Sequence, residues 1–180
     1  MNNIIIERLS DENFNPCSMD DFLRYEEVSQ VWRAIDGEYI LTDSEYIMDW
    51  DLEKRRETAR TILEGIHHGG FAYGAFDGGK LAGYIYVTGE RFGSSHQYTE
   101  LALFHISAPY RRMGIGKQLF QLACDEARAI GAQKLYISSG PTKNTQAAYR
   151  RFGCVHAEEI KASAVERYPN DIQLEFHLTD

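Results

Sequence analysis

The stretch Glu100-Leu101-Ala102-Leu103-Phe104-His105-Ile106-Ser107-Ala108-Pro109-Tyr110-Arg111-Arg112-Met113-Gly114-Ile115-Gly116-Lys117 decides how the rest of the chain is read. After Glu100 it is apolar, with branched and aromatic side chains, and reads as a strand. Pro109 ends that strand, because proline has no amide hydrogen to give to a ladder. Gly114 and Gly116 open backbone conformations closed to other residues. Behind them Ile115, Leu119, Leu122, Ala123, Ala127 and Ile130 recur at helical spacing. A glycine turn feeding a helix aims unpaired N–H groups outward at the positive end of the helix dipole. Arg111, Arg112 and Lys117 add positive charge around it, so the segment predicts an anion site.

Two familiar phosphate motifs fit poorly. A P-loop requires G-x-x-x-x-G-K-[ST], but Lys117 is followed by Gln118 and no glycine stands five residues before Gly116. A dinucleotide fingerprint requires a third glycine where this chain has Leu119. The pattern Arg111-x-x-Gly114-x-Gly116 after a strand instead resembles the pyrophosphate-binding segment of the GNAT superfamily of N-acetyltransferases. That resemblance implies acetyl-coenzyme A as co-substrate, held by Arg111, Arg112, Met113, Gly114, Ile115, Gly116 and Lys117. It also implies that the strand residues Phe104, His105 and Ile106 contact the pantetheine arm, Phe104 and Ile106 through backbone groups in the manner of strand addition.

Composition sets the outer limits. At 180 residues the chain reads as a single domain over 1–180, with enough length to bury a core. Charged residues at 26% and hydrophobic residues at 43% are those of a soluble globular protein. Met1-Asn2-Asn3-Ile4 starts no basic-then-apolar leader, and no apolar run reaches the roughly 20 residues of a membrane span. A cytoplasmic protein without membrane contact is expected. Cys17, Cys124 and Cys154 are few and scattered, which argues against a disulfide framework or a zinc site, and no metal is expected. Cys124 lies among apolar helix residues and reads as packing. His67-His68 closes a helical pattern and suits the negative end of a helix dipole better than a metal.

A net charge of −8 argues against nucleic acid as a partner. The acids are concentrated between residues 20 and 53, where eleven stand against Arg24 and Arg33. Such a field is either a solvated surface or an attractor for a cationic substrate.

In chain order, Asn3–Leu9 reads as a strand and Asp20–Trp32 as a helix built on Phe22, Leu23, Tyr25, Val28, Val31 and Trp32. Residues 34–50 have poor periodicity and read as a connecting, partly helical region. Asp51–Ile66 is a helix. Phe71–Phe76 and Leu81–Thr88 flank Asp77-Gly78-Gly79-Lys80, a strong hairpin signal. Residues 89–97 read as a loop. A helix over about 114–130 and a strand over Lys134–Ser138 follow the opening strand, which makes the two strands parallel. Asn144–Phe152 is a helix, and Cys154–Ile160 and Asp171–Leu178 read as final antiparallel strands. The element order is similar to that of the GNAT superfamily. It implies an α/β fold with a mixed, splayed, mostly antiparallel sheet, a central parallel pair and flanking helices, with the coenzyme in the splayed gap. Gly153-Cys154 stands where the family commonly has Gly-Phe, a packing position.

Amine acetylation sets chemical demands. At pH 7 only about 1 in 10³ of a lysine-like amine is neutral. The thioester oxygen gathers charge, and the leaving thiolate gains from a proton donor. Glu100, fourteen residues before Gly114, resembles the general base of the histone-acetylating branch of the family. Strand alternation would put it on one face with Ala102, Phe104 and Ile106. A strand-edge salt bridge is the alternative role. Tyr149, four residues before Gly153, resembles the tyrosine near the coenzyme sulfur, a proton donor to the thiolate; a packed helix aromatic is the alternative. Asn144 is a possible pantetheine contact, although the family's asparagine falls where this chain has Thr142, and a helix cap is equally open to Asn144.

The sequence thus predicts an acetyl-CoA-dependent N-acetyltransferase acting on a primary amine, with a cationic small molecule favoured as acceptor. It would act as a monomer or homodimer. The alternatives are a non-catalytic acyl-CoA sensor and a protein acetyltransferase acting on lysine or N-termini.

Overall fold

In the computed structural model, which describes residues 3–178, the chain runs β1 (Ile4–Arg8), β2 (Tyr25–Ile35), β3 (Glu38–Asp49), α1 (Leu52–His67), β4 (Phe71–Asp77), β5 (Lys80–Phe92), β6 (Tyr98–Ile106), α2 (Ile115–Ala129), β7 (Lys134–Ser139), α3 (Lys143–Phe152), β8 (Val155–His156), α4 (Ala162–Arg167) and β9 (Ile172–His177). Seven strands form one sheet in the order β1-β4-β5-β6-β7-β9-β8. Every neighbouring pair is antiparallel except β6 and β7. The mixed, mostly antiparallel sheet with one central parallel pair is the predicted architecture.

The parallel ladder is short. Tyr98, Thr99 and Glu100 pair with Lys134, Leu135 and Tyr136, and no further residues of β6 and β7 pair. Beyond Glu100 the two strands splay, and the sheet opens towards their C-terminal ends.

Helices cover both faces. α2 buries Ile115, Leu119, Phe120, Ala123, Cys124 and Ala127 against Ile85, Val87, Leu101, Leu135 and Ile137 of the sheet. Tyr149 and Phe152 of α3 pack on the same side, where Phe152 stacks on Phe120 at 4.4 Å between ring centroids. α1 covers the opposite face, with Ala59 and Ile62 packed among Leu9, Phe14, Phe22, Tyr84 and Tyr86. The Asp51 side chain caps α1 by accepting the Lys54 amide at 2.7 Å. At its other end His68 Nδ1 lies 2.7 Å from the Glu64 carbonyl, and His67 pairs with Asp11.

Three sequence expectations need correction. Residues 20–32 are not a helix and 34–50 are not a connector: β2 and β3 form a separate two-stranded sheet turned by Asp36-Gly37, both at positive φ (50° and 84°). The helical signal arose from a bulge. Val28 and Val31 are both buried, but the pairing register shifts between Val28 and Gln30, so buried positions three apart belong to one strand. Residues 89–92 continue β5, so the predicted loop is shorter. Finally, the strand expected over 154–160 is reduced to Val155–His156, and the following loop holds α4.

The β2–β3 hairpin straps the open end of the sheet. On the β6 side the Leu23 amide donates to Ser107 Oγ (3.0 Å) and the Ala108 amide to the Leu23 carbonyl (2.9 Å). On the β7 side the Trp32 amide donates to the Pro141 carbonyl (2.8 Å), and Val31 bridges Thr142.

Phe120 joins three elements by stacking on Phe152 and meeting Phe176 of β9 edge-on. Phe120→Ala is expected to destabilise the protein by about 3–5 kcal/mol through lost burial and a residual cavity. Urea unfolding checks this; a loss under about 1 kcal/mol would mean that α2 and α3 are joined by other contacts.

Candidate active site

The turn between β6 and α2 is built to expose its amides. Ala108–Tyr110 forms a single 3-10 turn with Pro109 inside it. Arg112 then takes φ +66° and Gly114 φ +83°, the left-handed region, and α2 begins at Ile115 without a side-chain cap. Among the described residues, no acceptor takes the amides of residues 112–117. Six consecutive N–H groups at the positive end of a helix make an anion cradle. The Arg111, Arg112 and Lys117 side chains around it are exposed, as is Met113, whereas Ile115 turns its side chain into the core.

The cradle abuts the strand. A Cβ added to Gly116 would stand 3.5 Å from the Phe104 ring and 3.7 Å from Ile106, so the helix start lies against those residues. Arg111 Nε donates to the Ile106 carbonyl at 3.2 Å. The Ser107 amide donates across to Ala82 of the β5 side. Antiparallel alternation therefore turns the His105 backbone towards β5 and those of Phe104 and Ile106 away from it, into the gap where β7 no longer pairs. The gap-facing amides of Phe104 and Ile106 and the amides of the cradle thus lie unpaired on either side of the hydrogen-bonded turn of residues 107–111. His105 is elsewhere: its ring packs against Trp50 and Tyr84 on the α1 face. Burial, then the Arg24 and Arg111 charges, push its pKa down to about 3, so it is neutral.

Glu100 does not share a face with Phe104 and Ile106. Tyr86 and Val87 of β5 oppose Leu103 and Leu101, leaving Ala102 as an extra residue in β6. The bulge reverses the alternation. Phe104 and Ile106 pack on the α2 side, and Glu100 faces Tyr86, Tyr136 and Lys161 on the other. Its carboxylate is 13% exposed and accepts from Lys161 Nζ at Oε2, 2.5 Å away; Oε1 has no partner among the described residues.

Tyr149 lies across the strand from Glu100, its ring meeting that of Phe104 at 6.4 Å between centroids. Its hydroxyl makes no hydrogen bond among the described residues, and burial pushes its pKa up, which keeps the phenol protonated at neutral pH. The cap of α3 is Thr142, whose Oγ1 accepts the Thr145 amide at 3.2 Å, rather than Asn144. Asn144 is exposed and reaches Glu26 Oε1 at 3.5 Å.

Residues from the strap enter the same region, and sequence reading missed them. Glu26 accepts from Thr142 Oγ1 (3.2 Å) and from Arg24 Nη1 (3.2 Å), and both Arg24 and Glu26 are 11% exposed. Arg24 Nε and the nearby Tyr84 hydroxyl are buried without partners among the described residues. Lys161 was missed as well, since it lies 61 residues from the carboxylate it meets and no local pattern marks such a pair.

A polar platform lies on the β7–β9 side, joined to the segment just before Lys161 through Glu158. Glu158, Glu175 and His177 bring ligand-type atoms within 4.8 Å of one another, and the Lys134 ammonium supplies the charge there by donating to Glu158 (2.6 Å) and Glu175 (2.8 Å). Tyr98 also donates to Glu175, and the Glu158 amide does so at 3.0 Å. Cys17, Cys124 and Cys154 are free thiols; burial pushes Cys124 up to about 12, which suits a packing residue. No helix among the described residues is long and apolar enough to cross a membrane.

Burial would raise the Glu175 pKa, but its hydrogen bonds from Lys134, Tyr98, the Glu158 amide and His177 outweigh burial and lower it from 4.5 to about 2. The folded carboxyl therefore ionises below its unfolded value. Its contribution to stability should be complete above pH 4.5 and lost as pH falls towards 2. Urea midpoints across that window should fall in the parent and fall less in Glu175→Gln; equal slopes would contradict the assignment.

Comparisons with known proteins agree with this fold. Residues 12–154 match the model of the acetyltransferase (GNAT) family. The crystal structure of nourseothricin acetyltransferase superposes with a TM-score of 0.69 at 15% identity, covering 98% of this chain and 99% of the other. A Bacillus anthracis protein assigned as a streptothricin acetyltransferase, solved with acetyl coenzyme A, gives 0.69 at 16% identity and covers 99% of both chains. A GNAT-family acetyltransferase from Staphylococcus aureus gives 0.62 at 15% identity, covering 98% and 99%. A comparison with curated protein sequences finds no match.

Proposed function

The chain belongs to the GNAT acetyltransferase family, and from that premise we propose that it transfers acetyl from acetyl-CoA directly to a primary amine of a cationic small molecule. The observation that carries the reading is an unpaired backbone surface in two adjoining parts, the gap-facing amides of Phe104 and Ile106 and the amides of 112–117. Its first part suits an extended amide-bearing arm by strand addition, and its second suits a diphosphate.

In this reading Arg111, Arg112 and Lys117 add charge at the diphosphate, and Asn144 sits at the far wall of the gap. A gap-facing amide meets the thioester oxygen as charge develops on it. Glu100, through its open Oε1, accepts the proton of the acceptor ammonium directly or through a water. The neutral amine attacks the thioester carbon, the C–N bond forms and the C–S bond breaks; Tyr149 gives its proton to the departing thiolate, and the second proton that the nitrogen sheds on becoming an amide restores the phenol through water. Glu100 and Tyr149 stand on opposite faces of β6, so the reacting carbon would lie between them at the gap.

The acceptor side is the face of Glu100, bounded by the strap and the segment before α4. The strap is acidic, with Glu26, Glu27, Glu38, Asp43, Glu45 and Asp49 on β2 and β3. This charge favours a cationic acceptor. Two structural neighbours are named for nourseothricin and streptothricin, and both compounds belong among the amines tested.

A panel containing these two, a polyamine, an aminoglycoside and a lysine peptide, read by free-thiol release from acetyl-CoA, tests the function. Turnover with a small cationic amine is expected. Binding of acetyl-CoA without thiol release on any amine would instead identify a sensor module, and release on the peptide alone a protein acetyltransferase. With a turned-over acceptor, Glu100→Gln and Tyr149→Phe should each lower kcat by about 10²-fold. Parent rates for both variants across the pH range would refute the assigned roles.

A further inference from the structure

Lys161 has no part in the acetyl-transfer reading, yet its contacts are concentrated on the one carboxylate that has a central part. We propose that Lys161 is a positioning residue for the reaction: its ammonium fixes the Glu100 carboxylate in the orientation that leaves Oε1 open to the acceptor amine. This rests on the proposed role of Glu100 as base.

The geometry of the pair is specific. Lys161 Nζ donates to Glu100 Oε2 at 2.5 Å while also lying 4.6 Å from the centre of the Phe92 ring. The ring face and the carboxylate together fix the ammonium from two directions. Only one carboxylate oxygen is engaged, so the other keeps its lone pairs for a ligand.

The backbone behind this lysine is anchored as well. The Lys161 amide donates to the Tyr136 hydroxyl at 3.0 Å, and that hydroxyl in turn donates to Gln173 at 2.7 Å. Glu158 and Glu159, three and two residues upstream, are held too. The Glu159 carboxylate accepts from Ser94 (2.6 Å) and Gln97 (2.6 Å), and the Glu158 amide donates to Glu175 (3.0 Å). Tyr136 is also the residue that faces Glu100 in the last pair of the parallel ladder. One buried residue thus pairs with Glu100 through its backbone and anchors Lys161 through its hydroxyl.

Energy gives a reason to look beyond stability. The pair is largely buried, with the two side chains 13% and 27% exposed, and an ion pair taken out of water gains little net stability. A carboxylate free to rotate in the gap would meet an acceptor only part of the time, whereas one held by a fixed cation presents the same oxygen at each encounter.

The test is steady-state kinetics on Lys161→Met, Lys161→Arg, Glu100→Gln and the Glu100→Gln/Lys161→Met double variant, with the best amine of the panel. Thermal melts confirm that each is folded. Lys161→Met should lower kcat about tenfold or more with KM changed less than about twofold, and Lys161→Arg should recover most of that loss. In the Glu100→Gln background, Lys161→Met should cost nothing further. The inference is overturned if Lys161→Met keeps the parent kcat, if Lys161→Arg is as impaired as Lys161→Met, or if the loss persists in the Glu100→Gln background. Failure of the underlying reading looks different. Glu100→Gln itself would then keep the parent kcat, which removes the base and this proposal together. A kcat loss in Glu100→Gln beside an intact Lys161→Met removes the proposal alone.

Discussion

The structure depends on a ladder that stops. β6 and β7 pair through three residues and then part, in the middle of a seven-stranded sheet. Backbone N–H and C=O groups left unpaired inside a protein carry a free-energy penalty unless something meets them. The surrounding elements can be read as responses to that opening. Arg111 takes the Ile106 carbonyl, the β2–β3 strap ties the two diverging ends together, and α2 and α3 pack beneath through Phe120 and Phe152. What stays unpaired are the gap-facing amides of Phe104 and Ile106 and, past the bonded turn of 107–111, the amides of 112–117.

The bulge at Ala102 is the second constraint. Without it, alternation would carry Glu100 to the side where Tyr149 packs. With it, a carboxylate and a phenol lie on opposite sides of one strand. Such a separation suits a reaction in which one group takes a proton from the incoming amine and another gives one to the leaving sulfur. Keeping both on one face would place their proton transfers on the same side of the reacting carbon. One inserted residue therefore organises both halves of the proposed chemistry.

Much of this was legible in the sequence, for physical reasons. The β6–α2 segment carries strong local signals: Pro109, two glycines and a clean helical stripe. The hairpin at Asp77-Gly78-Gly79-Lys80 was equally plain. Residues 20–50 misled because burial there is set by a separate sheet with a register shift, so Val28 and Val31 imitate helical spacing. A usable signal was present, since Asp36-Gly37 is a favoured dipeptide for a two-residue hairpin turn and is flanked by apolar, branched residues. Period-two reasoning failed again at Ala102, where a bulge leaves no mark in composition. Lys161 meets Glu100, and Glu26 meets Thr142, only through tertiary packing, and nothing local could announce either contact.

The central claim is that the unpaired amides of the turn and the gap receive the coenzyme. Amide hydrogen exchange, followed residue by residue with and without saturating coenzyme A, tests it directly. Residues 112–117, together with Phe104 and Ile106, should exchange quickly in the free protein and become strongly protected on binding, while His105, already paired to β5, should change little. Bound coenzyme that leaves 112–117 unprotected would contradict the account.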